Sequence, residues 1–133
     1  MECADSTTGN NNFMKKMILE SPFAGNVARN VAYAKLCVRD MLLRGEAPIA
    51  SHLLFTQPGL LDDTQPEQRK LGIAAGHAWI DVADGMAVYV DFGCSKGMEL
   101  GIGNANKAGL KYELRYLSTK TVKSLMELYP DPT

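Results

Sequence analysis

The chain has 133 residues, of which 46% are apolar and 22% charged, and its formal net charge is −1. These values are typical of a globular protein that is large enough to bury a real core. The near-neutral charge gives no electrostatic argument for nucleic acid or a membrane surface as a partner. No apolar run approaches the roughly 18 residues that cross a bilayer, so we expect a cytoplasmic protein. Three cysteines without CxxC spacing predict neither disulfides nor a zinc site, and we expect no metal and no cofactor.

The N-terminal segment differs in composition from the rest of the chain. Its first 13 residues are polar, rich in asparagine, threonine and serine, and without periodicity. That composition predicts a disordered tail over 1–13. Met14 is a second candidate start of the chain, and we expect residues 14–133 to form one domain.

The first half of that domain predicts a βαβ unit. KKMILE at 15–20 is short and apolar at its centre, which indicates a buried strand. From Val27 the apolar residues recur with a helical period, with Asn26 as the N-cap and Gly45 as the stop. APIAS at 47–51 then predicts a second strand. A strand, a helix and a strand in this order imply parallel pairing and a right-handed crossover.

A long loop and a second helix come next. Residues 52–63 have no clean period, and a loop of this length favours a role in covering a site. TQPE at 64–67 is predicted to be a capping box with proline in the first turn. The alanines and glycines over 71–83 suit a close helix–helix interface, and His77 is expected to be exposed. The apolar stripe that this helix is predicted to bury consists of Leu71, Ala75, Ala78, Trp79 and Val82.

The last third of the chain completes an α/β pattern. It predicts a strand over 85–93, a helix over 96–108 capped by Ser95, an edge strand over 110–117 and a helix from Ser118. The whole sequence therefore predicts a single flavodoxin-like or Rossmann-like three-layer α/β domain. Its parallel sheet would have four or five strands, with the first four in the order 2-1-3-4.

This strand order predicts where a ligand binds. The order reverses between the first and third strands, and open α/β sheets bind ligands at the carboxyl ends of the strands beside such a reversal. The loops that meet there are SPFAGN at 21–26 and DFGCSKGMELG at 91–101. A glycine-bearing turn that opens a helix favours anions and sugar hydroxyls. The sequence therefore predicts a small-molecule site at this edge.

The residues expected to contact a ligand lie in these two loops and just after the second strand. Asp91 could hold a ribose hydroxyl or cap the following turn, and His52 could hydrogen-bond a phosphate or a base. Glu99 could be a nucleophile or a first-turn residue favoured by the helix dipole. The full set of expected ligand-binding residues is Ser21, Pro22, Phe23, Gly25, Asn26, His52, Asp91, Gly93, Ser95, Gly97 and Met98.

Other side chains allow a functional and a plain interpretation. Phe55 and Phe92 could stack on a base, although core packing is the default for both. Arg69 could reach a phosphate from the second helix, with a solvated face as the alternative. A catalytic triad of Ser21, His52 and Asp91 has no nucleophile-elbow context, and we reject it.

Three motifs together carry a family resemblance over residues 16–117. ESPFAGN after strand one, RGEAPIASH at strand two and YVDFG with GMELG at strand three resemble the nucleoside 2-deoxyribosyltransferase-like superfamily, in particular a small phage and bacterial branch. In those enzymes a glutamate attacks the anomeric carbon of the sugar, and the resemblance carries this role to Glu99. It implies that Asp91 orients the sugar or assists departure of the base. It also implies a homo-oligomer, a dimer or higher.

The sequence departs from the enzyme pattern near this glutamate. Counted back from Gly109, the enzyme spacing places the nucleophile at position 101, which is Gly101 here. The first loop lacks the tyrosine of the enzymes, and Phe23 is its nearest aromatic residue.

We therefore expect first a binding protein for a nucleotide or nucleoside sugar, of ADP-ribose or cyclic-nucleotide type. Such a protein could be a phage-encoded sponge for a bacterial immune signal. The alternative is a nucleoside 2-deoxyribosyltransferase or nucleotide N-glycosidase that uses Glu99 with Asp91. A third option is an interaction module without a ligand.

Overall fold

A computed structural model describes residues 14–132 as a four-stranded sheet flanked by helices. The tail predicted over 1–13 lies outside the described residues. The strands are β1 Lys16–Glu20, β2 Ala47–Ile49, β3 Gly85–Tyr89 and β4 Tyr112–Arg115. The helices are α1 Val27–Leu43, α2 Ser51–Leu54, α3 Pro66–His77, which continues into a 3-10 turn at Ala78–Asp81, α4 Lys96–Ala108 and α5 Thr119–Leu128.

The described sheet is entirely parallel and has the order β2-β1-β3-β4. Ile18 lies at its centre, opposite Ile49 on one side and Met86 on the other. The predicted α/β class, the parallel pairing and the order 2-1-3-4 are confirmed. None of the helices in the described part of the chain is long and apolar enough to cross a membrane.

Alternation along the strands divides the core into two halves. Met17 and Leu19 pack with residues of α1 and α5, such as Tyr33 and Leu125, on what we call the α1/α5 face. Ile18 packs with the 3-10 turn and with α4 on the opposite face, which we call the α3/α4 face. Side chains of a strand point alternately to opposite faces, so five residues of β1 serve both halves of a three-layer domain.

The helix boundaries follow the predicted capping residues closely. The side chain of Asn26 accepts a hydrogen bond from Arg29 N at the start of α1, and that of Ser95 accepts one from Met98 N at the start of α4. Gly45, at φ +83°, and Gly109, at φ +76°, take the left-handed conformation beyond the ends of α1 and α4. Glycine adopts this conformation without the steric penalty of a Cβ atom.

Two predictions about the middle of the chain are wrong. The second strand ends at Ile49, and Ser51 already begins α2 inside the segment expected to be strand and loop. The capping box does not form, because the Thr64 hydroxyl donates to Asp62 Oδ1 at 2.6 Å and α3 starts at Pro66 without a side-chain cap. The threonine that would cap the helix in this motif is hydrogen-bonded to the Asp62 carboxylate in the loop instead.

The predicted apolar stripe of α3 is also wrong. Trp79 is 43% exposed, and Leu71 and Val82 are each 60% exposed. His77, which was expected to be exposed, is half-buried. The stripe that turns inward is offset by about one residue and consists of Gly72, Ile73, Gly76, His77 and Ile80. Both stripes have helical spacing, and the 3-10 turn after His77 shifts the phase for the residues that follow.

A charged cluster links β4 to the segment between α1 and β2. Arg115 is buried and donates to both carboxylate oxygens of Glu46, at 2.7 and 2.6 Å. It also donates to Glu113 at 2.6 Å. Fork-shaped donation of this kind satisfies a buried guanidinium, so this charge is paired within the protein.

Candidate ligand-binding cavity

A cavity of about 240 Å³ opens on the α3/α4 face at the carboxyl end of β1. Its walls come from β1 and the loop after it, from α2, from α3 and from the start of α4. The cavity therefore lies beside the point where the strand order reverses, at the edge of the sheet where the sequence predicts a small-molecule site. The residues that matter below are Glu20, Ser21, Phe23, Ala24, His52, Phe55, Asp63, Arg69, His77, Ser95, Lys96, Gly97 and Met98.

Ser21 and His52 form a hydrogen-bonded pair in the wall of the cavity. Ser21 Oγ lies 2.7 Å from His52 Nε2, although the two residues are 31 positions apart. Burial lowers the pKa of His52 to about 4, because a desolvated imidazole resists taking up a charge. The ring is therefore neutral at physiological pH, and the pair can offer a donor and an acceptor to a ligand.

Glu20 is the carboxylate that the sequence analysis missed. It is the last residue of β1, it is half-buried, and it lines the cavity. Burial raises the pKa of its carboxyl group to about 8, because an ionised carboxylate is poorly solvated there. At neutral pH the group is therefore mostly a neutral carboxylic acid.

Helix α3 contributes two more polar groups to the wall. Arg69 lines the cavity and is paired with Asp63 at 2.9 Å. His77 lies 2.8 Å from Asn104 Nδ2 through its Nδ1 atom, and burial lowers the pKa of its ring. Both histidines of the chain therefore reach the same cavity.

The first turn of α4 brings backbone donors to the cavity. Ser95, Lys96 and Gly97 line it, and Met98 is buried beneath them. The Ser95 hydroxyl accepts the N–H of Met98 at 3.3 Å. The first N–H groups of a helix have no partner inside the helix, so the N–H groups of Lys96 and Gly97 are available to an anionic or hydroxyl group.

The structure brings six of the predicted ligand-binding residues to the cavity wall. They are Ser21, Phe23, His52, Ser95, Gly97 and Met98. Five others lie outside the wall: Pro22, Gly25, Asn26, Asp91 and Gly93. Glu99 also lies outside it and is exposed on α4.

Asp91 takes part in a buried hydrogen-bond network on the α1/α5 face. Its Oδ2 atom accepts from Tyr33 OH at 2.7 Å and from Leu117 N at 2.9 Å. Phe92 packs edge-on against Tyr33 and carries the Arg29 guanidinium over its ring at 4.2 Å. These contacts explain both residues as parts of the fold.

The remaining predicted residues outside the wall shape the two loops. Asn26 caps α1 and donates to the carbonyl oxygen of Tyr129 at 3.0 Å. Gly25 at φ +100° and Gly93 at φ +89° make turns that other residues adopt only with strain. Pro22 is buried at the start of the first loop.

Sequence reasoning could have found part of what it missed. Glu20 lies two residues after Ile18 in β1, so its side chain is expected on the same α3/α4 face of the sheet. It is also the last residue of that strand, at the point where the strand order reverses. His77 shares helical spacing with Ile73 and Ile80, which makes a second apolar stripe. Asp63 and Arg69 meet only through the path of the loop, and no local pattern predicts that pairing.

Fold and cavity together define a Rossmann-like α/β protein with a cavity at the sheet reversal. The chain belongs to the family described as a domain of unknown function, DUF7768, whose model matches residues 15–115. The match includes all four strands and the cavity-lining parts of α2, α3 and α4. No curated protein matches the sequence at a significant level.

Proposed function

We propose that the cavity holds a nucleoside or a mononucleotide without turning it over. The observation that carries this proposal is the open cavity at the carboxyl end of β1, where apolar, aromatic and hydrogen-bonding groups converge. Small-molecule sites in open α/β sheets occupy this position. Mixed apolar and polar walls are also typical of such sites.

The size of the cavity narrows the class of ligand. Its volume of about 240 Å³ is below the roughly 300–1,000 Å³ of pockets that enclose drug-sized molecules. A nucleoside-sized molecule fits such a space better than a dinucleotide. An ADP-ribose-type ligand or a cyclic dinucleotide would have to leave part of its mass outside, so we favour the smaller ligands.

The chemistry of the wall fits the three parts of a nucleotide. Phe23 and Phe55 supply aromatic surface on which a base can stack. The Ser21–His52 pair can exchange hydrogen bonds with sugar hydroxyls. The start of α4, with Lys96 beside it, can receive a phosphate or a 5′-hydroxyl group.

The resemblance to the nucleoside 2-deoxyribosyltransferase-like superfamily supports the same ligand class. It suggested Glu99 as a nucleophile, and the position of Glu99 outside the cavity wall favours holding over turnover. A protein that holds such a ligand unchanged would act by sequestering it, as a sponge for a nucleotide signal does.

Calorimetry against the four 2′-deoxynucleosides and their 5′-monophosphates tests the proposal. We expect saturable binding of at least one compound at one site per chain. Ala24→Trp, which fills the mouth of the cavity from an exposed position, should abolish binding. Ala28→Trp on the exposed surface of α1 is the matched control and should bind as wild type does.

Chromatography of the same mixtures separates holding from turnover. We expect the ligand to be recovered unchanged after heat denaturation of the protein. Release of free base by wild type that disappears in Glu99→Gln would instead establish the glycosidase or transferase. Flat calorimetric responses to the whole panel would contradict the proposed ligand class.

We also propose that copies of the chain associate through the exposed apolar side chains of α3 and of the segment that follows it. Leu71 on α3, Trp79 in the 3-10 turn and Val82 just after it are large, apolar and exposed, and covering them would remove apolar surface from water. Light scattering should show a dimer or a larger oligomer that Leu71→Asp dissociates. A monomeric wild type would contradict the proposal.

A further inference from the structure

The Glu20 side chain occupies space that α4 leaves open at Gly101. A Cβ atom built at position 101 would lie 2.6 Å from Glu20 Cδ and would overlap its carboxylate oxygens. Real Cβ atoms do not approach other atoms so closely. Glycine at position 101 is therefore what allows the Glu20 carboxyl group to sit between β1 and α4.

This contact matters for the cavity because it holds a carboxyl group in the cavity wall. Helix α4 has glycine at position 101, and strand β1 supplies the carboxyl group that occupies the space beside it. Glu99, two residues earlier, is exposed and does not line the cavity.

The groups that face Glu20 do not offer it a strong ionic partner. His52 from α2 and His77 from α3 have lowered pKa values and are neutral. Arg69 from α3 is paired with Asp63. The start of α4 brings Lys96, which is exposed. Cys94 and Glu99 also lie near Glu20. Burial raises the pKa of the Cys94 thiol, and the carboxylates of Glu99 and Glu20 raise it further.

We propose that Glu20 is the hydrogen-bond donor of the cavity, a neutral carboxylic acid seated by Gly101 that donates its proton to an acceptor atom of the bound ligand. The acceptor would be a carbonyl oxygen or ring nitrogen of a nucleobase, and for this ligand class the inference rests on the proposed function. A neutral carboxyl group has one O–H donor, whereas the ionised form only accepts. The acid form therefore decides which edge of a base the cavity can recognise.

This role predicts that binding weakens in mildly alkaline solution. With the Glu20 pKa at about 8, a ligand that binds only the acid form loses about tenfold in affinity between pH 7 and pH 9. The probes are 2′-deoxyadenosine and 2′-deoxycytidine, because neither nucleoside titrates in that interval. Glu20→Gln keeps an N–H donor at the same place, so its affinity should be within about threefold of wild type at pH 7 and flat to pH 9.

Infrared spectroscopy tests the acid without any ligand. The C=O band of a protonated carboxyl group should be present in wild type at pH 7, absent in Glu20→Gln, and lost as the pH passes about 8. Gly101→Ala should shift this band, whereas Gly103→Ala should not, because a Cβ at position 103 meets nothing within 4 Å. Circular dichroism confirms that each variant is folded.

The two measurements separate failure of the inference from failure of the proposed function. Absence of the band in wild type at pH 7 would overturn the inference. So would nucleoside binding that has equal affinity at pH 7 and pH 9. A band that behaves as described, with no nucleoside bound by wild type, would support the neutral acid and overturn the nucleoside as its ligand.

Discussion

Buried polar groups on the α1/α5 face are mostly paired with one another, whereas those on the α3/α4 face line a cavity. On the first face Asp91 accepts hydrogen bonds from Tyr33 and Leu117, and Arg115 is held by Glu46. Two buried atoms there, Arg29 Nε and Asn30 Oδ1, lack a partner.

On the cavity side burial favours the neutral forms of His52, which is hydrogen-bonded to Ser21, and of Glu20. Groups that satisfy each other specify the fold, whereas polar groups left facing a cavity are available to a ligand. The contrast therefore suggests that the α1/α5 face is built for stability and the α3/α4 face for binding.

Removing a charge from the paired face should have the largest effect. Glu46→Gln leaves the buried Arg115 guanidinium without its bidentate carboxylate, and breaking a buried pair typically costs about 3–5 kcal/mol. Chemical denaturation should show a loss of stability of about that size. The control is Glu113→Gln, which removes the 58% exposed partner of the same arginine and should cost less than about 1 kcal/mol.

Similar losses in these two variants would contradict the comparison. They would mean that the buried and the exposed partner of Arg115 contribute equally to stability, and that buried pairing on the α1/α5 face does not stabilise the fold more than an exposed ion pair does.

Removing the charge of Glu20 from the cavity should increase the free energy of unfolding rather than decrease it. Above pH 8 the Glu20 carboxylate is ionised in a poorly solvated place, so Glu20→Gln should stabilise the fold by about 2–4 kcal/mol at pH 8.5. At pH 4.5 the two proteins should be equally stable, since Glu20 is then protonated in the folded state. Destabilisation by Glu20→Gln at pH 8.5 would show that a partner holds the carboxylate.

The pH profile of stability follows from the same two groups. Glu20 has a folded pKa of about 8 against an ordinary value of 4.5, so its contribution to stability falls as pH rises from 4.5 to 8. His52 has a folded pKa of about 4 against 6.5, so its contribution rises from pH 4 to 6.5. Opposed slopes should give wild type a plateau between about pH 4.5 and 6.5 and a decline up to pH 8.

Burial lowers the pKa of His77 too, so His77 acts in the same sense as His52 and should turn the plateau given by the other two groups into a slight rise toward pH 6.5. In Glu20→Gln the decline above pH 6.5 should disappear, and stability should rise and then level off. Thermal denaturation across this range measures both curves. A decline that persists in Glu20→Gln would assign it to another group.

Disturbing the contact between α4 and β1 at Gly101 should change the free energy of unfolding by a moderate amount. Gly101→Ala places a methyl group against the carboxyl end of the flexible Glu20 side chain, which must move away. The loss of stability should therefore be smaller than the roughly 1–3 kcal/mol that overpacking a rigid core costs. Gly103→Ala, two residues along the same helix, meets open space and should instead stabilise by about 0.5–1 kcal/mol through helix propensity. Equal effects of the two substitutions on denaturation midpoints would contradict the close approach at Gly101.

The smallest effect is expected at Glu99. The residue is exposed on α4, so Glu99→Gln should change the free energy of unfolding by no more than about 0.5 kcal/mol. Nucleoside affinity measured by calorimetry should also be unchanged. Loss of binding in this variant would place the ligand at Glu99 rather than at Glu20.

The sequence predicted the parallel sheet well because each strand and cap carries a local pattern. Asn26, Ser95 and Gly109 act at helix ends as their residue types suggest. The reversal then predicted Ser21 and His52 at one edge, and the two side chains do meet there.

The rest depended on contacts between distant residues. Asp91 was predicted to bind a ligand because it follows a strand, but its carboxylate accepts hydrogen bonds from the Tyr33 hydroxyl group and from Leu117 N instead. Glu20 resembled an ordinary strand end, and its character depends on the missing Cβ of Gly101. Two helical stripes on α3 were nearly equivalent in sequence, and only packing against the sheet selects between them.

Calorimetric titration of 2′-deoxyadenosine and 2′-deoxycytidine into wild type and Ala24→Trp tests the central claim most directly. We predict saturable binding of at least one nucleoside to wild type at pH 7, about tenfold weaker at pH 9, and no binding to Ala24→Trp. Absence of binding to wild type, or equal binding to Ala24→Trp, would contradict the assignment of the cavity as a nucleoside site.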